Sequence, residues 1–395
     1  MNEIMTFRMN AIGRTISCDR EMRILFISPK TPGDRTCGGG VRSGFVLRAL
    51  KELGDVTVVD GTLKGVRSRI KWFLLLPFMF SRKLMDRFYL SKQEILKELG
   101  LEGKDFDCVV VRYVGPMNTN AAWKIAPCFL DIDDLPSQAV ETLRSKTTSW
   151  LKRKVLVSLL RVWETRLIKR STAFWVCNKE QVPLLRKYGA CTFLPNVAEK
   201  PPAGYRYERV EPLQFLTVGG MSYQPNNEGV DWFIDNVWRE LVADHPDATY
   251  NVVGGGTPDH LARKWSQVPG VKIWGFVDDL SERYESASMV IAPIFAGAGT
   301  CIKVLEAAVH GRKVISSFFG ARGLDEEECH ALGVVKCQDV DDFMDEIEKY
   351  LALPDSEKSE RQVDFAREAS RRVSYERFAE SVKSLVLQGL GKVNG

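Results

Sequence analysis

Residues 291–324 read IAPIFAGAGTCIKVLEAAVHGRKVISSFFGARGL. An apolar run enters a loop of small residues, Gly297-Ala298-Gly299-Thr300, and a helical pattern begins directly after it. The helix carries Lys303 and Glu306 three residues apart, hence on one face. A strand at 312–317 follows and ends in a second glycine loop at 320–323. This order suits a nucleoside diphosphate. Small residues let backbone approach the ligand, and the first N–H groups of a helix favour an anion. Lys303 can neutralise a phosphate, and Glu306 can accept both hydroxyls of a ribose. The same letters also describe a buried loop beside an exposed Lys–Glu pair, and short motifs alone do not decide between the two.

Outward from this stretch, the chain alternates short apolar runs with helical patterns in both directions. Strands are expected at 22–28, 55–60, 106–113, 128–133 and 173–178, and again at 213–220, 248–256, 271–275, 288–294, 312–317 and 333–337. Continuous apolar runs such as MRILFIS mark strands buried on both faces. Residues 226–241 form a helix with Val230, Phe233, Ile234, Val237, Trp238 and Leu241 on one side. Two tandem βα units predict two Rossmann-like α/β domains facing each other across a cleft. Their bounds are 22–197 and 213–370, joined by a charged, proline-containing linker at 198–212 and preceded by a flexible leader at 1–21. The tail from 339 to 390 reads as helices.

A chain of 395 residues, 45% hydrophobic and 27% charged, is a globular protein of about two domains. Its net charge of +4 gives no general reason to bind nucleic acid. Nine cysteines without a C-x-x-C pair point to a reducing compartment, and four scattered histidines give no metal spacing. The longest apolar run, 72–80, contains Pro77 and is too short to span a bilayer, which takes about 20 residues. The first twenty residues lack the apolar core of a signal peptide.

The blocks at 215–226, 250–256, 274–293 and 291–324 resemble, in content and order, the donor-binding half of the retaining GT-B glycosyltransferases (glycosyl transferases group 1, in a GAGTxxK variant). That large family includes bacterial polysaccharide mannosyl- and glucosyltransferases. The resemblance implies a GT-B fold whose C-terminal helix, 371–395, returns to the first domain. It implies sugar transfer from a UDP- or GDP-sugar to a hydroxyl acceptor with retention, without metal or other cofactor. By the same resemblance Glu306 binds the donor ribose, and Gly299 and Thr300 face the diphosphate. Gly219 and Gly220 approach the diphosphate from the opposite loop, and Val277 lies in a turn near the nucleobase. Gly39 and Gly40 belong to the first domain's glycine loop, which by the same resemblance meets the donor phosphates and the acceptor. Two positions depart from the family. Ala298 stands where a glutamate that contacts the sugar is common. Residues 221–224, Met-Ser-Tyr-Gln, stand where an arginine and a lysine usually clamp the diphosphate, leaving Lys303 as the replacement cation and main source of charge stabilisation.

FLDIDDLPS, 129–137, ends a first-domain strand in Asp131, Asp133 and Asp134. Strand carboxyl ends face the ligand crevice of an open α/β sheet. Asp133 or Asp134 is therefore a candidate to orient an acceptor hydroxyl or a sugar, Asp133 being the catalytic candidate beside Lys303; a helix cap is the plainer reading. VVGGGTPDH at 252–260 lacks the third glycine of a dinucleotide loop, which argues against a dehydrogenase. Two segments, 66–89 and 150–170, are basic and apolar together. They are expected either to pack as ordinary helices or to lie on an anionic membrane surface. A cytoplasmic protein, peripheral on the membrane and acting on a glycan or lipid-linked acceptor, fits the second option. A sugar-nucleotide epimerase and a non-catalytic nucleotide- or glycan-binding homologue are the alternatives.

Overall fold

The computed structural model describes residues 21–61, 89–142, 150–201, 212–297 and 299–393. The leader (all but Glu21), the basic segment 66–89 (all but Tyr89), most of the linker and Ala298 lie outside the described residues.

Two parallel six-stranded sheets form the molecule. The first contains β1 (Met22–Ser28), β2 (Gly54–Asp60), β3 (Cys108–Arg112), β4 (Cys128–Ile132), β5 (Ala173–Val176) and β6 (Cys191–Phe193), in the order β2-β1-β3-β4-β5-β6. The second contains β7 (Gln214–Val218), β8 (Thr249–Val253), β9 (Val271–Gly275), β10 (Met289–Ala292), β11 (Lys313–Ser317) and β12 (Val334–Cys337). Its order, β12-β11-β10-β7-β8-β9, is that of the dinucleotide-binding sheets.

Both faces of each sheet are covered, which explains the unbroken apolar runs. Along β1, Leu25 and Ile27 join one core while Ile24 and Phe26 join the core on the opposite face. Along β7, Phe215 faces one layer, and Leu216 and Val218 the other. The helix expected at 226–241 begins two residues earlier. It runs Gln224–Phe233, passes through a π turn at Ile234–Trp238 and ends as Arg239–Asp244. All six residues of its expected apolar face are fully buried. β6 was not among the expected strands: it is three residues long, and only Cys191 is buried.

The chain changes lobe twice. Ala198, inside the expected linker, packs in a core of the second lobe. Val373 also lies in that core, whereas Phe378, Ala379, Val382, Val386 and Leu390 of the last helix (Tyr375–Val393) are buried with Phe26, Phe45 and Phe129 of the first. Each large apolar side chain so placed contributes roughly 1.5–3 kcal/mol. Gly389 lies directly on the Phe129 ring, where a Cβ would clash.

Candidate functional site

In an open α/β sheet, ligands bind outside the strand carboxyl ends where the strand order reverses. In the second sheet that point lies between the neighbours β7 and β10. Gly219 and Gly220 follow β7, and Gly297, Gly299 and Thr300 follow β10, so the topology brings both glycine loops to one crevice. In the first sheet the reversal lies between β1 and β3. Their carboxyl ends lead to Gly39 and to Tyr113, and a Cβ on Gly39 would collide with the Tyr113 hydroxyl.

The crevice admits only glycine at two of these positions. Gly299 has φ +68, and a Cβ there would enter the Asp134 carboxylate. A Cβ on Gly219 would lie 2.7 Å from Lys303 Nζ. A Cβ on Gly220 would stand only 3.0 Å from the Thr36 carbonyl of the first lobe, a tight contact. Gly40 is different: it is tight against Asp34 of its own loop, so its smallness serves local packing.

The helix Ile302–Val309 starts at this crevice. Lys303 and Glu306 stand on one face, both half-buried. Lys303 Nζ donates to Asn226 Oδ1 at 2.7 Å, and burial lowers the amine's hold on its proton. Glu306 accepts from the Tyr284 hydroxyl at 3.3 Å, and burial raises its carboxyl. Val277 packs against the apolar cluster that contains Tyr284. In the same turn Phe276 is half exposed.

The first lobe meets the crevice through a buried charge network. Arg42 holds Asp131 with Nη2 at 2.9 Å. Arg112 donates to Asp131 Oδ2 at 2.6 Å and to Asp133 Oδ2 at 2.9 Å. Burial alone would raise Asp131, but the two guanidinium groups outweigh it and hold the carboxyl below its ordinary value. Arg42 also donates to Asn196 Oδ1 at 2.8 Å, and Asn196 donates to Thr300 Oγ1 of the second lobe at 2.7 Å. Tyr113, at φ 68 and ψ 151, occupies a sparsely populated backbone region while its hydroxyl donates to Asp133 at 3.3 Å.

The neighbouring acids therefore differ. Asp133 takes Arg112 and Tyr113 on one oxygen and the Cys177 thiol on the other. Asp134 accepts no hydrogen bond among the described residues, and burial together with the charge of Asp133 pushes it up to about 7. It faces the 297–300 loop, near Tyr223 and Arg322. Thr142 clamps that loop from the first lobe, accepting from Gly297 N at 3.1 Å and donating to Gly297 O at 2.7 Å. Lys179 bridges the lobes to Asp325 at 2.6 Å and Glu328 at 2.5 Å.

Gly219, Gly220, Gly299, Thr300, Lys303, Glu306 and the Asp133–Asp134 pair thus share one crevice, with Gly39 at its first-lobe edge. Arg42, Arg112, Asn196 and Thr142 carried no motif, and Asn226 closed the 215–226 block without being singled out. Of the first four, Arg112 alone left a trace in sequence, as a charge closing the apolar run CVVVR.

Residues 212–352 match the family model described as glycosyl transferases group 1. No curated protein matches the chain. Among solved structures, sucrose-phosphate synthase from Thermosynechococcus elongatus is similar at TM-score 0.67 and 16% identity, over 93% of this chain and 99% of that one. Anabaena HepE in complex with UDP and glucose is similar at TM-score 0.61 and 13% identity, over 93% and 100%. A glycosyltransferase from Rickettsia africae gives 0.61 and 13%, over 94% and 99%. The architecture, two parallel six-stranded α/β sheets in tandem, is the GT-B fold.

Proposed function

We propose that this chain is a glycosyltransferase that moves a sugar from a UDP- or GDP-sugar to a hydroxyl acceptor with retention of configuration and without a metal. One observation carries the reading: two glycine loops meet at the switch point of the second sheet, with Lys303 and Glu306 on the helix that begins there. The match of 212–352 to group 1 glycosyl transferases supports it, as does a UDP-bound neighbour of the same fold.

In this reading the donor diphosphate lies on the 297–300 loop and the helix N-terminus, where oriented N–H groups and Lys303 compensate its charge. Glu306 takes the ribose hydroxyls. As the sugar leaves, the diphosphate gains negative charge and assists removal of the acceptor's proton on the same face. The protein's contribution is positioning and charge stabilisation. Asp133, held by Arg112 and Tyr113, serves as a fixed acceptor of sugar or acceptor hydroxyls rather than as a proton carrier. The acceptor is a glycan or a lipid-linked oligosaccharide bound at the first lobe, and the setting is cell-surface polysaccharide or glycolipid synthesis on the cytoplasmic side of a membrane.

Thermal shift with UDP, GDP, ADP and their sugars, on wild type and Glu306→Ala, tests the donor site. Ligand at about 100 times its Kd stabilises by about 2.7 kcal/mol. One nucleotide family should shift the wild type and fail with the variant. No shift in either protein sinks the donor-site reading.

A further inference from the structure

The helix Trp150–Ile168 is apolar on two sides. One side is ordinary: Trp163, Leu167 and Ile168 belong to the first-lobe core. The other faces solvent, with Leu151 64% exposed, Val155 52% and Val162 38%. Steps of four and seven residues align these three in one stripe along the helix. Trp150 stands exposed at its start, with the Lys154 ammonium 4.0 Å above its ring. Single exposed apolar residues are normal on any surface, whereas a contiguous set marks an interaction site. Five of the fourteen large hydrophobic residues exposed among the described ones, Leu156 included, lie on this helix.

The charges that the helix itself places beside the stripe are all of one sign. Between 150 and 162 the sequence holds Lys152, Arg153, Lys154 and Arg161 and no acid, in a chain whose total is only +4. Arg161 pairs with Glu141 at 2.6 Å. The helix's single acid, Glu164, turns inward and accepts from Ser137 N at 2.7 Å and Ser137 Oγ at 2.6 Å.

We propose that this outer face docks on an anionic lipid bilayer, with Leu151, Val155, Val162 and Trp150 at the acyl boundary and the cations on headgroup phosphates. The charge pattern selects the occupant. A second copy of the chain would bring the same cations against one another, while an anionic bilayer complements them and admits the aliphatic stems of lysine and arginine. The inference stands apart from the transfer reaction, since docking needs no donor. One helix links this element to the crevice. Glu164 braces the start of helix Pro136–Thr142, and Thr142 at its end clamps Gly297.

Co-sedimentation of the full chain with phosphatidylcholine vesicles, alone or mixed two-to-one with phosphatidylglycerol, tests this. Wild type should bind the anionic vesicles about tenfold more than the neutral ones, with the preference falling at high salt. The double variant Leu151→Asp, Val155→Asp should lose about tenfold or more of that binding, and Lys152→Glu, Lys154→Glu should abolish the preference. Binding that ignores lipid charge, or that survives both variants, overturns the proposal. So does a wild-type dimer that the aspartates dissolve without any vesicle binding, which would give the face to a second copy. Nucleotide thermal shift on the same samples verifies that the variants are folded. A wild type that sediments but binds no nucleotide removes the transfer reading and leaves the docking face in place.

Discussion

The Lys303 ammonium donates to the side-chain oxygen of Asn226 at 2.7 Å, and the same asparagine's amide donates to the Gly220 carbonyl at 2.8 Å. Asn226 thus ties the cation of one glycine loop to the backbone of the other.

If Lys303 stabilises charge on the departing diphosphate, Lys303→Ala should lower kcat by about 10²–10³, the usual cost of removing one such group. Asn226→Ala keeps the charge and loses only its placement, so it should cost about tenfold. Steady-state kinetics with the donor found by thermal shift reads both. Equal losses would mean that Lys303 acts through loop structure and not through charge.

Gly299→Ala forces a Cβ into the Asp134 carboxylate at φ +68. We expect a stability loss of about 1–3 kcal/mol and no measurable nucleotide binding. Gly255→Ala is the control, because its Cβ would meet only Phe276 Cβ at an ordinary 3.5 Å. Calorimetric Tm and nucleotide titration on both variants check this. A Gly299→Ala protein that binds like wild type would remove the loop from the donor site.

Asp134 gives a pH dependence with a definite sign. Its carboxyl titrates near 7 in the folded protein against an ordinary value of 3.8. Between these values the native state binds more protons than the unfolded chain, so this group's contribution to stability falls as pH rises through the window. A tenfold change in proton affinity corresponds to about 1.4 kcal/mol. Asp134→Asn should therefore stabilise the protein more at pH 8 than at pH 5, the gain growing by roughly 1–3 kcal/mol between the two. Urea unfolding at the two pH values measures it. An equal effect at both would show that Asp134 is ionised throughout.

Arg112 neutralises two buried carboxylates, Asp131 and Asp133, at 2.6 and 2.9 Å. Removing one partner of a buried ion pair leaves a charge uncompensated, at about 3–5 kcal/mol. Arg112→Met should show that loss in chemical denaturation and should also weaken transfer, because Asp133 loses its anchor. A variant of wild-type stability would mean that Arg42 alone balances the pair.

Eleven of the twelve strands were legible: interior ones such as β3 and β10, covered on both faces, are written as continuous apolar runs, whereas the edge strands β2 and β9 alternate buried and exposed residues. β6 was not, since three residues with one buried side chain leave no pattern. Lys303 and Glu306 were legible because helix spacing places them on one face. The network behind them was not. Arg42 meets Asp131 and Asn196 across 89 and 154 residues, and no local pattern encodes such a meeting. Asp133 and Asp134 are adjacent letters of one type, and what separates them is partners distant in sequence, Arg112 and Cys177, that hydrogen-bond to Asp133 and not to Asp134.

The helix Tyr375–Val393 is part of the first lobe's core, yet the ribosome makes it after the whole second lobe. The lobe synthesised first is therefore completed last. Until Phe378, Val382 and Val386 arrive, Phe26, Phe45 and Phe129 lack their cover on that face. During translation the second lobe can close its sheet while the first waits with an apolar surface open, the condition under which nascent chains engage chaperones. A premature stop shortly before this helix would spare every residue named in the crevice and still leave the first lobe unfinished.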